Sequence, residues 1–276
     1  MGHIIKRNKY IIIFSIVFII CFILFQNYKK SLNDINKDKI TVACGNDASG
    51  MLFDYIINDK DSNIEFSNID YVQFLDCCGS QAEFAFISGR VDMAVLCPDA
   101  AFQLIYTDTN YYIVGSIVKG SNILVYYNED YDNNNIEPNN IGYMNKRILQ
   151  EALLKCKYSN SNYYPMLAAA LPYALEKKTV DAIFIDIILA LKIKNARFKK
   201  IDTEESDYYL VASKKLKYTV ILNDFIKVYN EAVDDIENDT ILSNILVNYL
   251  DISNSEGEMN IWKTMGVKFS KIKAEL

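Results

Sequence analysis

The chain has 276 residues and a single histidine, His3, close to its start. One histidine in the N-terminal tail excludes Ser-His and Cys-His nucleophile pairs, histidine general acid–base chemistry and histidine-ligated metals from the folded part. Tryptophan occurs once, and proline and glycine are sparse at 4 and 10, which excludes collagen-like and Pro/Gly-rich disordered architectures. Positive charge is in deficit: 29 Lys and Arg stand against 35 Asp and Glu, a net charge of −6. A general nucleic-acid surface needs clustered positive charge, so no nucleic-acid partner is expected.

The chain does contain one long apolar run, Tyr10–Phe25, interrupted by no polar residue except Ser15. Lys6, Arg7 and Lys9 precede it, and Lys29 and Lys30 follow. As a helix of 16 residues it would span about 24 Å, a little less than the hydrocarbon core. The following FILFQNYKK offers no small-x-small cleavage site, and Cys21, preceded by Ile20, lacks a lipoprotein-type context. The run therefore reads as an uncleaved anchor. Its basic N-terminal flank puts the tail inside and the rest of the chain on the extracytoplasmic side of the cell membrane. Residues 26–38 form a polar tether, so residues 1–38 constitute anchor and tether.

From residue 39 onwards, short β-rich runs alternate with helical patterns, the signature of α/β architecture with parallel sheets. KITVAC (39–44), a strand within 64–75 and VDMAVLC (91–97) are each followed by a Gly, Ser, Pro or Asp and a helical run. YYIVGSIVKGSNILVYYN (111–128) breaks this rhythm with two extended runs long enough to cross between domains. A second series begins at IGYM (141–144) with helix KRILQEALLKCK, then loop YSNSNYYP, helix MLAAALPYALEKK broken or kinked at Pro172, strand VDAIFID and helix IILALKIK. YYLVAS (208–213) provides a return crossing, 218–251 is helical, and NIWKTMGVKF is a C-terminal packing tail. The expectation is a two-lobed clamshell: 39–118 as the first part of lobe 1, 119–207 as lobe 2, and 208–276 as the return to lobe 1.

Four of the six cysteines sit at expected strand ends: Cys44, the adjacent Cys77 and Cys78, and Cys97. Open α/β sheets bind ligands outside the carboxyl ends of their strands. A pair of thiolates there suits a soft, low-coordinate metal or organometal cation and suits Mg²⁺ or Ca²⁺ poorly. Three alternatives stay open: a vicinal disulfide, a chance pair beside an anion pocket, and plain core packing of Cys44 and Cys97. Cys156, within EALLKCKY, reads as structural. The remaining candidate ligand contacts are Asn46, Asp47, Ser49, Gly79 and Ser80 from lobe 1, and Tyr143, Met144, Asn145 and Asp186 from lobe 2.

The segments ISGRVDMAVLCPDAA, YYIVGSIVKGSNILVYYN, IGYMNKR, ALEKKTVDAIFIDIILAL and WKTMGVKF together resemble type II periplasmic substrate-binding proteins of ABC importers. The likeness is to the group that includes nitrate, sulfonate and thiamine-precursor binders, and it runs from about residue 39 to the end. It implies a periplasmic-binding-protein clamshell with no catalytic activity and no cofactor, partnered by an ABC permease and ATPase, with a small-molecule ligand between the lobes. The vicinal cysteines are similar to those of the binding component of the selenocysteine-assisted organometal transport system, which implies a thiophilic cargo. Other readings are a binder of a small organic anion or thiamine precursor without a thiol role, and a thiol redox protein, although CC is not CxxC. A pyrimidine-precursor synthase on the same fold would need the histidine that this chain lacks. A two-lobed sensor would need an output domain, and none is present within the first 25 or so residues.

Overall fold

A computed structural model describes residue 18 and residues 39–59, 69–74, 79–128, 131 and 136–273. The chain divides into two compact units, 1–39 and 40–276. The expected membrane anchor lies outside the described residues, as do Cys21, Cys77 and Cys78. Among the described residues no helix is long and apolar enough to cross a membrane.

The unit 40–276 contains two mixed sheets. The first is six-stranded in the order β11-β4-β10-β3-β1-β2, with β1 Ile40–Cys44, β2 Ile69–Gln73, β3 Met93–Leu96, β4 Tyr111–Lys119, β10 Tyr208–Ser213 and β11 Lys268–Phe269. The second is five-stranded in the order β7-β6-β8-β5-β9, with β5 Asn122–Tyr126, β6 Asn140–Met144, β7 Asn162–Met166, β8 Ala182–Asp186 and β9 Arg197–Lys200. In the first sheet β1, β2 and β3 run parallel, and β10 lies antiparallel between β3 and β4. In the second, β6, β7 and β8 run parallel, and β5 lies antiparallel between β8 and β9. β5 and β10 are the first strands after each crossing, so each lobe takes in an arriving strand antiparallel to its neighbours.

The parallel strands read as apolar runs because helices cover both faces of their sheets. β8 and β5 are buried along their whole lengths. In lobe 1, α1 Ala48–Asp54 continues into a π-helical turn Tyr55–Asp59, and α2 Gly79–Ile87 and α3 Pro98–Thr107 follow. The C-terminal helices α7 Val220–Ile236, α8 Asp239–Leu250 and α9 Glu256–Met265 complete the chain. Thr219 caps α7, and Asn238 caps α8 through Thr240 and Ile241. Leu222, Phe225, Ile226, Tyr229, Val233 and Ile236 form the buried stripe of α7 at helical spacing. Phe53 of α1 meets Phe225 and Tyr229 there, with ring centroids 5.9 and 6.0 Å apart. Each such side chain contributes about 1.5–3 kcal/mol by leaving water.

Lobe 2 departs from its sequence-based reading at β7, at β9 and in the short helix after β8, while the break at Pro172 is as expected. YSNSNYYP contains strand β7, not only a loop. β7 is a half-exposed edge strand, the position in a sheet where Pro165 is tolerated without an N–H. β9 has no apolar run because it too is an edge strand, built of Arg197, Phe198, Lys199 and Lys200. Pro172 splits the long helical run. A 3₁₀ turn, Ala168–Ala170, gives way to α5 Leu171–Glu176, with the proline in the first turn where its missing N–H is harmless. The helix after β8, α6, is a single turn, Ile187–Ala190, and the helix after β6, α4, spans Ile148–Lys157.

The C-terminal tail is held by a reciprocal amide pair. Asn230 Nδ2 donates to the Ile272 carbonyl and Asn230 Oδ1 accepts from the Ile272 N–H, both at 2.8 Å. Removing this side chain leaves two half-buried backbone groups without protein partners, at about 1–3 kcal/mol. Asn230→Ala is therefore expected to lower the denaturation midpoint with an unchanged m-value. An unshifted midpoint would show that the tail does not depend on this pair.

Candidate functional site

The strand ends of both lobes meet at one seam. The loop Gly45–Gly50 brings Asp47 to the N-cap of α1, where Oδ1 accepts from the Gly50 N–H at 3.0 Å and from the Ser49 hydroxyl at 2.5 Å. The loop is tight enough to demand glycine at both ends. A Cβ on Gly50 would lie 2.0 Å from the Gly45 carbonyl oxygen, and one on Gly45 would lie 2.3 Å from Asp47 Oδ2. Tyr249 of α8 closes the outer side, its hydroxyl donating to Asn46 Oδ1 at 3.2 Å.

Asp186 ends β8 and caps α6 through the Ile188 N–H at 3.0 Å. The same Oδ1 accepts from the Ala48 N–H of α1 at 3.0 Å, so a lobe 2 carboxylate docks on the start of a lobe 1 helix. The reverse contact exists as well. Asp99 in the first turn of α3 accepts from the Leu149 N–H of α4 at 3.2 and 3.4 Å. Each lobe thus caps a helix of the other, satisfying amides that a helix start leaves orphaned.

Between these two contacts stands Arg147. Lys146 takes a left-handed φ of 64° and turns the chain out of β6. Arg147 follows it and is buried at 2% exposure, with its guanidinium carbon 5.4 Å above the Tyr208 ring. Its charge acts on both Asp47 and Asp99. Behind it a relay runs from the return crossing into lobe 2. Asp207 accepts from the Ser121 N–H at 2.7 Å and from Asn122 Nδ2 at 2.6 Å, and Asn122 Oδ1 accepts from Gln150 Nε2 at 3.1 Å. A cavity of about 140 Å³ opens here, lined among others by Asp99, Asn122, Arg147, Gln150, Phe184 and Asp207.

All four carboxylates of the seam are pushed above their ordinary range, in each case chiefly by burial. Asp186 rises furthest, because burial adds to repulsion from Asp47 and Asp207 and its hydrogen bonds from Ile188 and Ser121 offset only part. Asp47 is relieved by Ser49, Gly50 and Arg147, Asp99 by Leu149 and Arg147, and Asp207 by Asn122 and Ser121.

Of the sequence-predicted residues, Asp47, Ser49 and Asp186 sit at this seam, and Asn46 lies beside it in an exposed position. Gly79 and Ser80 open α2. Tyr143 and Met144 lie in the interior: the Tyr143 hydroxyl donates to Glu151 at 2.7 Å within lobe 2's own core, and Met144 joins the large core. Asn145 is exposed, with its backbone N–H on the Met166 carbonyl at 2.7 Å. The thiols do not converge as expected. Cys44 continues the face of Ile40 and Val42 into the core that holds Ala48 and Met51, and burial raises its pKa well above normal. Cys97 packs in the separate core with Ala94, Leu96, Ala100 and Ala101, across the sheet. Strand alternation would put both on the face of Val42, Met93 and Val95, but β3 ends at Leu96 and Cys97 leaves the strand as the N-cap of α3, on the side of the second core. Cys156 is exposed on α4. Among the described residues no three Cys, Asp, Glu or His side chains group as metal ligands. Arg147, Asp99, Asn122, Gln150 and Asp207 were not anticipated; Pro98-Asp99 at a helix start was the one signal available.

Two open-ended α/β sheets with one incoming antiparallel strand each, and a polar seam between them, define the type II periplasmic-binding-protein fold. Solved structures bear this out. A ligand-binding component of an ABC-type import system from Staphylococcus aureus, with zinc bound, superposes with TM-score 0.64 at 14% identity, over 87% of each chain. The periplasmic aliphatic sulphonate-binding protein of Escherichia coli gives 0.62 at 13% identity, over 86% of this chain and 82% of its own. A nutrient-binding protein from Burkholderia cenocepacia, bound to methionine, gives 0.54 at 16% identity, over 72% and 95%. No protein-family model matches the chain, and no curated protein matches it in sequence.

The raised carboxylates set a pH dependence. A carboxyl whose folded pKa lies above its unfolded value binds more protons when folded, so stability falls as pH rises from the unfolded pKa, about 4, through the folded one. The ligand-free protein is expected to melt higher at pH 5 than at pH 8, and Asp186→Asn is expected to flatten that difference. A midpoint that rises from pH 5 to pH 8 in the ligand-free protein would contradict it.

Proposed function

We propose that this chain is the substrate-binding component of an ABC import system and that it carries a small ligand between its lobes to a permease and ATPase. The observation that carries the reading is the cross-lobe seam: buried polar groups from both lobes meet at the strand ends, where a two-lobed α/β protein grips its ligand. The fold neighbours named above support it. Residues 39–118 with 208–276 would form one lobe and 119–207 the other, with residues 1–38 tethering them to the outer face of the cell membrane. The role would be non-catalytic, in keeping with the ligand-binding proteins that share the fold.

A narrower reading concerns the cargo. In sequence, Cys77 and Cys78 fall between the end of β2 and the start of α2. They would bind a thiophilic metal or organometal as a pair, without Cys44 and Cys97, whose cores are separate. A small organic anion or thiamine precursor, or thiol redox exchange at the pair, are the competing cargoes and role.

Thermal-shift screening of the full-length chain in detergent, against sulfonates, amines, amino acids and thiophilic metal ions, tests the binding role. At least one compound should raise the melting midpoint by about 5 °C or more at saturating concentration; a chain that none of them stabilises would count against it. For the thiol reading, Hg(II) titrated against excess glutathione should be retained by the wild type and released by the Cys77→Ser, Cys78→Ser double variant. Equal retention by the two proteins would remove the pair from the site.

A further inference from the structure

Three buried side-chain oxygens at the seam have no hydrogen-bond donor among the described residues: Asp47 Oδ2, Asp186 Oδ2 and Gln150 Oε1. Their residues are 3%, 1% and 7% exposed. The orientation of the Gln150 amide follows from its relay. Asn122 donates to Asp207, so its own oxygen faces Gln150, which must present Nε2 to it and leave Oε1 as the idle acceptor. A buried acceptor without a donor costs about 1–3 kcal/mol. Three of them along one interlobe seam mark a place where donors arrive from outside.

Charge narrows the class of donor. Four carboxylates, Asp47, Asp99, Asp186 and Asp207, share this seam with one guanidinium, that of Arg147. From the elements packed around them, Asp186 faces Asp47 and Asp207, while Asp47 faces Arg147 together with the neutral hydroxyls of Tyr71 and Tyr249 and the neutral thiol of Cys44. Among the described residues no further cation acts on Asp47 or Asp186. An anion would compete for amides already taken, since Asp186 holds the Ala48 N–H and Asp99 the Leu149 N–H. A hard divalent metal lacks its ligand set, because no three candidate side chains group together among the described residues. Gln150 lines the cavity, as do Arg147, whose charge acts on Asp47, and Asp207, whose charge acts on Asp186. At about 140 Å³ the cavity holds roughly the volume of four or five waters.

We propose that the seam binds the positively charged nitrogen group of a small organic ligand, an ammonium, amidinium or guanidinium, with its N–H groups donated to Asp47 Oδ2 and Asp186 Oδ2 and a further N–H to Gln150 Oε1. The proposal rests on the interlobe-binding reading and is independent of Cys77 and Cys78. Burial raises the Asp186 pKa, and a cation beside it would favour the ionised carboxylate, so binding should release protons.

Calorimetric titration of the full-length chain in detergent tests this with ethylammonium, acetamidinium and methylguanidinium, and with acetate and ethanesulfonate as matched anions. At least one nitrogen cation should bind. Buffers of different ionisation enthalpy should reveal proton release on binding, and affinity should rise with pH until Asp186 is ionised in the free protein. Asp186→Asn keeps an oxygen for the Ala48 and Ile188 N–H groups, so it should melt cooperatively. It should bind the cation roughly tenfold to a hundredfold more weakly and without proton release. Binding of an anion with all three cations silent would overturn the cation assignment and leave the interlobe-binding reading intact, as would retention of Hg(II) alone through the cysteines. Silence of every probe, Hg(II) included, would overturn both. Equal cation affinity in Asp186→Asn would show that the nitrogen group binds elsewhere.

Discussion

The carboxylate of Asp207 is the tie on which the two-lobed arrangement depends. It sits on the return crossing and accepts from the backbone N–H groups of both Ser121 and Asn122 and from the side chain of Asn122, all on the outgoing crossing. The chain passes between lobes only at these two places, and here they are stitched side by side. A buried carboxylate is costly unless its oxygens are hydrogen-bonded, and at Asp207 the donors are in place. Both sheets take their register from the tie: the outgoing crossing enters β5 immediately after Ser121, and the return crossing enters β10 immediately after Asp207.

From that tie the seam is built by exchange. Each lobe offers a carboxylate and each offers a helix start, and the carboxylate of one completes the helix of the other. Asp186 on α1 and Asp99 on α4 are caps in the ordinary sense, except that the residue supplying the oxygen belongs to the opposite lobe. Capping contacts of this kind are worth around 1 kcal/mol each, small enough to be made and broken as lobes part. The carboxylates that make them are themselves pushed up by burial. Arg147, over the Tyr208 ring, acts on both Asp47 and Asp99 and eases this concentration of carboxylates.

The sequence carried the lobe architecture well because apolar strand runs and crossing segments are local patterns. β1, β3, β5, β8 and β10 all read as strands in advance. The edge strands β7 and β9 did not, since they bury only part of their side chains and leave no period to detect. Asp47 and Asp186 were legible because each follows or ends an apolar run at a helix start. Their partnership with Ala48 and with each other was not, because it spans 138 residues of separation. Arg147 was hidden for a related reason: in NKRILQ it looks like one basic residue of a solvated helix start, and only the left-handed turn at Lys146 sends it inward. The thiols were the converse case. Cysteines near strand ends look convergent in a linear reading, but Cys97 leaves β3 as the N-cap of α3, and Cys44 and Cys97 enter different cores.

Fold likeness sets the place of the ligand and leaves its charge open. Among the fold neighbours one holds zinc, one binds aliphatic sulphonates and one is bound to methionine, so one architecture accommodates ligands of different charge. What sets the sign locally is who occupies the helix starts facing the cleft. Where those amides stand free, their partial positive charge favours an anion. In this chain two of them are taken by Asp186 and Asp99, which turns the seam from a set of donors into a set of acceptors. The remaining oxygens of Asp47, Asp186 and Gln150 extend that inversion to the side chains. Under the cation proposal, a cleft rearranged in this way would disfavour anions by repulsion as well as by the loss of their binding groups, and discrimination by an unfavourable contact is as effective as discrimination by a favourable one.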